Sequence, residues 1–190
     1  MMKVGVYMHS LNISKITIPY DPNLLHKWKR RDPGIVPAFL LGRKGPGISN
    51  GYGFGEWHAE QYFRSHGYHV FTDEFNFLSQ KSMFDPYNRM IATLIGQERI
   101  SAFKQEAARL IEGNVLIENP DLFVYNLDSI FFAEVKKERD HLRESQLRFM
   151  YLAKEYLGIE SVLVYLCDRT IEVEVEEIEE QFSMNELQEV

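Results

Sequence analysis

With a single cysteine, Cys167, in 190 residues, the chain can form no internal disulfide and no cysteine-cluster zinc site. It has no apolar run approaching the roughly 20 residues needed to cross a bilayer. The opening stretch Met1–His9 lacks the apolar core of a secretory signal. Together these absences lead us to expect a cytoplasmic protein with no membrane partner. Internal repeats and low-complexity tracts are also missing, which sets aside solenoid architectures. Basic residues are scarce overall: net charge is −7, and residues 170–190 carry eight Glu and no Lys or Arg. That balance excludes a uniformly polyanion-binding surface but not a local one. Residues 1–50 carry eight Lys/Arg against two Asp, and steering of a charged ligand depends on local potential.

What the chain does have is a globular composition, 45% hydrophobic and 13% aromatic, in a length suited to one domain. Residues 1–50 read as a weakly structured basic arm around Lys27, Trp28, Lys29, Arg30 and Arg31. A glycine-rich stretch follows. A helix fits Glu56 to about His66, stopped by Gly67, and a strand fits Tyr68–Thr72. Residues 85–112 carry helical periodicity, opened by Asp85-Pro86 and divisible at Gly96, and form a helical insert spanning about 76–113. Leu122–Tyr125 and Ile130–Lys136 pair as a hairpin through a polar turn. Asp140 is placed to cap a helix running to Leu157, and Ser161–Leu166 reads as a strand. Ile171–Val175 alternates like an edge strand, with a solvated helix expected after it. The expected fold is therefore α/β: a small mixed central sheet flanked by helices within residues 51–190.

Chemistry concentrates on the hairpin. Phe131, Ala133 and Val135 alternate on one face of the second strand, leaving Glu134 and Lys136 together on the other. A carboxylate and an ammonium on so apolar a strand are costly to bury without partners. Pairing of the hairpin brings Asp121, which opens the first strand after Pro120, toward Glu134. Two carboxylates plus backbone carbonyls form an all-oxygen site suited to Mg²⁺ or Mn²⁺. The bland alternative, for an isolated Glu-x-Lys, is a surface ion pair.

The wider pattern, Asn119-Pro120-Asp121 followed by Glu134-Val135-Lys136, resembles the PD-(D/E)xK nuclease superfamily. The continuation Lys136-Lys137-Glu138-Arg139-Asp140-His141-Leu142-Arg143-Glu144-Ser145-Gln146 looks like its VRR-NUC branch. The resemblance covers Asn119 to Leu166 well and Glu56–Phe71 moderately. It implies a restriction-endonuclease-like core and a metal-dependent endonuclease acting on DNA, with branched or flapped forms as the expected substrates. By the same resemblance Asp121 and Glu134 are metal ligands, Val135 lends its carbonyl, Lys136 is the catalytic lysine, and Gln146 supports the site. Counting back from Gly67-Tyr68 places Glu56 as a further helix-borne ligand, with Glu60 the substitute. Lys137 and Glu138 depart from the family's Gly-Pro, and the long insert leaves substrate choice open.

Other signals are less specific. Lys27, Lys29, Arg30 and Arg31 suit phosphate contacts and Trp28 suits base stacking, or else Trp28 anchors a helix end in the core. Arg43 and Lys44, set among glycines, suit a mobile DNA clamp. Gly51-x-Gly53-x-Gly55 before a helix suggests phosphate cradling, but lacks the strand and spacing of a nucleotide-cofactor fingerprint. His58, His66 and His69 lack a fourth zinc ligand, and His141 reads as an exposed first-turn residue. The insert offers a surface for a homodimer. The main rival reading is a non-catalytic nucleic-acid-binding or assembly module on the same fold.

Overall fold

A computed structural model describes residues 3–42, 47–72, 74–137, 140–168 and 172–188, with backbone alone at 3–6 and 185–188. Arg43 and Lys44, like Glu138 and Arg139, lie outside the described residues. The elements in chain order are β1 (Lys3–Pro19), α1 (Pro22–Lys29), α2 (Ala38–Leu41), α3 (Phe54–Ser65), β2 (His69–Phe71), α4 (Asp85–Ile95), α5 (Gln97–Glu112), β3 (Leu122–Tyr125), β4 (Ile130–Lys137), α6 (Glu144–Leu152), β5 (Ser161–Cys167) and β6 (Glu174–Gln188). The six strands form one mixed sheet in the order β2-β3-β4-β5-β1-β6. β4, β5 and β1 run parallel; the remaining neighbours pair antiparallel. Parallel β4 and β5 need a crossover, which α6 supplies.

Strand alternation sorts the core into two layers. Leu122, Val124, Ala133, Val164 and Leu166 pack with α1–α3 through Trp28, Leu40, Phe54, Ala59 and Phe63. Phe123, Phe132 and Leu163 pack on the other face with α4–α6 through Ile91, Phe103, Leu147 and Phe149. The sheet is thus covered on both sides, as parallel strands require. The insert is helical and breaks at Gly96, whose φ of 107° is a conformation that side-chain-bearing residues rarely adopt.

Three expectations need correction. Residues 1–50 are not a weakly structured arm: residues 3–19 form a 17-residue strand inside the sheet. Leu11 and Ile13 are buried in one layer and Ile18 in the other. A strand that shifts its buried side partway along shows no single alternation, which hides it in the sequence. Second, no solvated helix follows residue 175; β6 continues 15 residues along β1. Phe182 and Met184 are buried and Ile178 partly so, a period of two that outweighs the helical propensity of the glutamates. Third, α6 begins at Glu144, not beside Asp140. The Asp140 N–H instead closes a turn onto Lys137 O at 3.0 Å.

Candidate active site

The β3–β4 register, Leu122 opposite Ala133 and Phe123 opposite Phe132, sets Asp121 opposite Glu134 one step further along. Both side chains project to the α6 side of the sheet, as does Lys136 two residues on. Glu134 and Lys136 are 2% and 8% exposed, so the pair occupies the sheet's interior rather than its surface. Lys136 Nζ donates to Glu134 Oε1 at 2.8 Å. Gln146, 3% exposed on α6, donates from Nε2 to the same oxygen. Its Oε1 accepts the Arg143 N–H at 3.0 Å, which fixes the amide in that orientation. Asp121 Oδ2 accepts the Val135 N–H at 2.8 Å.

The electrostatics follow from burial. Desolvation, then the Glu134 charge, push the Asp121 carboxyl up to about 7, against the pull of the Val135 N–H and Lys136. Glu134 is also raised, by burial first, with Lys136 and then Arg143 drawing it back down. Each carboxyl opposes the ionisation of the other, and of the two it is Asp121 that their interaction raises. A buried acid pair of this kind gains from any cation that replaces the proton.

Asp121, Glu134, Lys136 and Gln146 are therefore brought together, with Val135 at their centre through its backbone. Glu56 is not. It lies half-buried in the first turn of α3 and lines a groove with Val135, Lys136, Lys137 and Asp140. Among the described residues no group of three or more His, Cys, Asp or Glu is placed to hold a metal ion. Glu60, the substitute, is bound to Arg64 at 2.8 Å. The remaining donor set, two carboxylates and a neighbouring carbonyl, is all oxygen. It matches the one or two carboxylates through which Mg²⁺ is held while it keeps several waters.

Of the pair, Asp121 faces a cavity of about 450 Å³ that Asn76, Ser79, Glu118, Asn119, Arg143 and Gln146 also line. Two of these carry roles the sequence reading missed. Asn119 Oδ1 accepts the Phe77 N–H at 3.1 Å, tying the segment before α4 to the start of β3. Arg143 pairs with Glu118 at 2.7 Å across the cavity. The available signal was an arginine at a helix N-cap, where Ser, Thr, Asp or Asn is favoured.

Of the basic candidates, Lys27, Lys29 and Arg30 are exposed and Arg31 half-buried. Trp28 is fully buried and donates from Nε1 to Tyr52 O at 2.9 Å, so it anchors α1 and cannot stack on a base. His58 Nε2 lies 3.1 Å from Pro19 O, and burial lowers its pKa. His66 packs on Tyr62 and His69 on Tyr125, while His141 is exposed.

No family model, no curated protein and no solved structure matches the chain. No helix among the described residues is long and apolar enough to cross a membrane.

Proposed function

We propose that the protein is a divalent-metal-dependent nuclease with a restriction-endonuclease-like core, hydrolysing phosphodiester bonds in DNA. One observation carries the reading: two carboxyls and a lysine share a buried point at the sheet's end. A structural ion pair has no need of the second, desolvated acid, whose like charge only adds cost. Asp121, Glu134 and the Val135 carbonyl would hold Mg²⁺ or Mn²⁺, which supplies Lewis acidity toward the phosphate. Lys136 sets a fixed positive charge beside the pair, where it offsets charge building on the phosphate in the transition state. Gln146 holds Glu134 in its rotamer, and Asn119 and Arg143 shape the wall a substrate strand would meet. Among the described residues no element suited to reading base sequence stands out, so shape-selective recognition of branched or flapped DNA is the expected mode.

A second reading, a non-catalytic nucleic-acid-binding module, is favoured by the absence of Glu56 from the acid pair. The two separate in a cleavage assay on single-stranded, duplex, nicked, flapped and four-way DNA with Mg²⁺ or Mn²⁺. Cleavage by the wild type that is lost in Lys136→Ala supports the nuclease. Binding without cleavage across the whole panel supports the module.

A further inference from the structure

Beside the acid pair, on the opposite face of β4, the chain gathers two lysines over a glycine. Gly51 adopts a φ of 88°, which favours glycine, and ends the 3₁₀ turn Ile48–Asn50. A Cβ added there would meet Lys29 Cε at 3.4 Å and Lys137 Nζ at 3.6 Å. Lys29 comes from the end of α1 and Lys137 from the last residue of β4. Residues far apart in sequence therefore bring two ammonium-bearing side chains to one backbone point. Neither lysine is among the ion-paired side chains of the described residues. Lys137 is also half-buried. A half-buried ammonium without an ion-pair partner, with a second lysine side chain reaching the same glycine, favours an anion between them.

The groove that Gly51 and Lys137 line has a volume of about 160 Å³, with Tyr52, Gly53, Gly55, Glu56, Val135, Lys136 and Asp140 forming the rest of its wall; the Lys29 side chain reaches its Gly51 edge from α1. The groove also receives the start of α3, a 12-residue helix whose N-cap, Gly53, offers no side-chain hydrogen bond to the first turn. The N–H groups of that turn and the positive end of the helix dipole favour an anion. Gly53 and Gly55 line the groove with backbone alone, and a Cβ on either would meet core side chains, Trp28 and Leu40 at Gly53 and Val135 and Leu166 at Gly55. Glu56 and Asp140 on the wall disfavour a ligand of diffuse negative charge, and leave the lysine side of the groove as the place for a compact one.

We propose that Lys29, Lys137 and the Gly51–Gly55 segment form a phosphate-binding subsite. Lys136, whose amine reaches the acid pair, borders the same groove, so the natural occupant is a backbone phosphate next to the one cleaved. Only that identification of the phosphate's carrier rests on the nuclease reading; the pocket for a phosphate group does not.

The test uses the full chain without metal, in EDTA, so that cleavage plays no part. Wild type, Lys29→Gln, Lys137→Gln and the double variant are compared with Lys104→Gln, an exposed lysine of α5 across the sheet. Two quantities are read: the Tm shift caused by inorganic phosphate over chloride at equal ionic strength, and the affinity for labelled flapped DNA along a salt series. Each single variant should abolish the phosphate-induced shift and weaken DNA binding several-fold. The slope of log K against log salt should shrink by about 1 in the singles. It should shrink by little more in the double variant, because the two lysines share one phosphate. Loss of the phosphate shift with DNA binding unchanged would still support the subsite, with free phosphate as its ligand. No change in either quantity beyond that of Lys104→Gln would overturn it. Failure of the nuclease reading is distinct: it would appear as intact binding here with no cleavage by the wild type in Mg²⁺.

Discussion

Replacing Asp121 with Asn should stabilise the protein at neutral and alkaline pH while abolishing the metal-dependent cleavage we propose. The amide keeps both interactions of the protonated acid: its oxygen accepts the Val135 N–H, and its NH₂ donates to Glu134. It removes the ionised state that burial and Glu134 make unfavourable. The sign follows from linkage. Folding raises the Asp121 carboxyl to about 7 from an ordinary 3.8, so between those values the folded state binds more protons than the unfolded one. Stability contributed by the protonated group is present at low pH and drains away as pH rises through 7. One proton corresponds to a slope of at most about 1.4 kcal/mol per pH unit. Other carboxylates give the wild type an opposite slope in acid, so the quantity to read is the difference between variant and wild type. That difference should grow in favour of Asp121→Asn from about pH 4 to pH 7 and level off above. Half the limiting slope over three pH units still gives roughly 2 kcal/mol, well resolved by urea unfolding monitored through Trp28 and Trp57 fluorescence. Added Mg²⁺ should narrow the gap at pH 8 by stabilising only the wild type, by about 1.4 kcal/mol at tenfold its dissociation constant. A variant that is destabilised equally at pH 5 and pH 8 would refute the raised Asp121 carboxyl.

Lys136→Ala should lose cleavage by at least about 10²-fold and also destabilise by roughly 3 kcal/mol, because it strands Glu134 at 2% exposure without its cation. Gln146→Leu, nearly matched in size, leaves the Arg143 N–H and a Glu134 oxygen without that partner and should cost about 1–3 kcal/mol in chemical denaturation. Because a metal at the pair displaces the proton on Asp121, Mg²⁺ binding near pH 6 should release close to one proton; calorimetry in buffers of different ionisation heat would detect it, and no release would contradict the assignment. Trp28→Ala should cost about 3–5 kcal/mol through the lost core volume, measured by thermal unfolding, and lower DNA affinity no further than unfolding accounts for.

α3, α4, α5 and the hairpin were legible because each carries its own local signal, whereas α1 and α2 were not. Gly67 and Gly96 close their helices at the expected places, and Phe131, Ala133 and Val135 mark the face of β4 away from the acids. The acid pair was legible for the same reason: its members lie two residues apart on one strand, or one register step across a hairpin. What could not be read depends on partners distant in sequence. β1 is a strand because β5 and β6, more than 140 residues later, pair with it over Ser14↔Val162 and Lys3↔Gln188. The glutamates of β6 suggested a helix until β1 supplied a ladder, with Lys15 pairing Glu176 at 2.6 Å. Glu56 shares a helical face with Ala59 and Phe63, but spacing along a helix does not say which end of the sheet that face meets. Lys29 and Lys137 gave no hint of one another, since only the fold brings α1 to the end of β4.

The most direct test of the account is metal-dependent cleavage of the DNA panel by wild type, Asp121→Asn and Lys136→Ala, each first shown to be folded. The account predicts Mg²⁺- or Mn²⁺-dependent scission by the wild type, strongest on a branched or flapped form. Neither variant should cut above background, although Asp121→Asn is the more stable protein at pH 8. Equal cleavage by all three, or none by the wild type on any substrate with either metal, would contradict it.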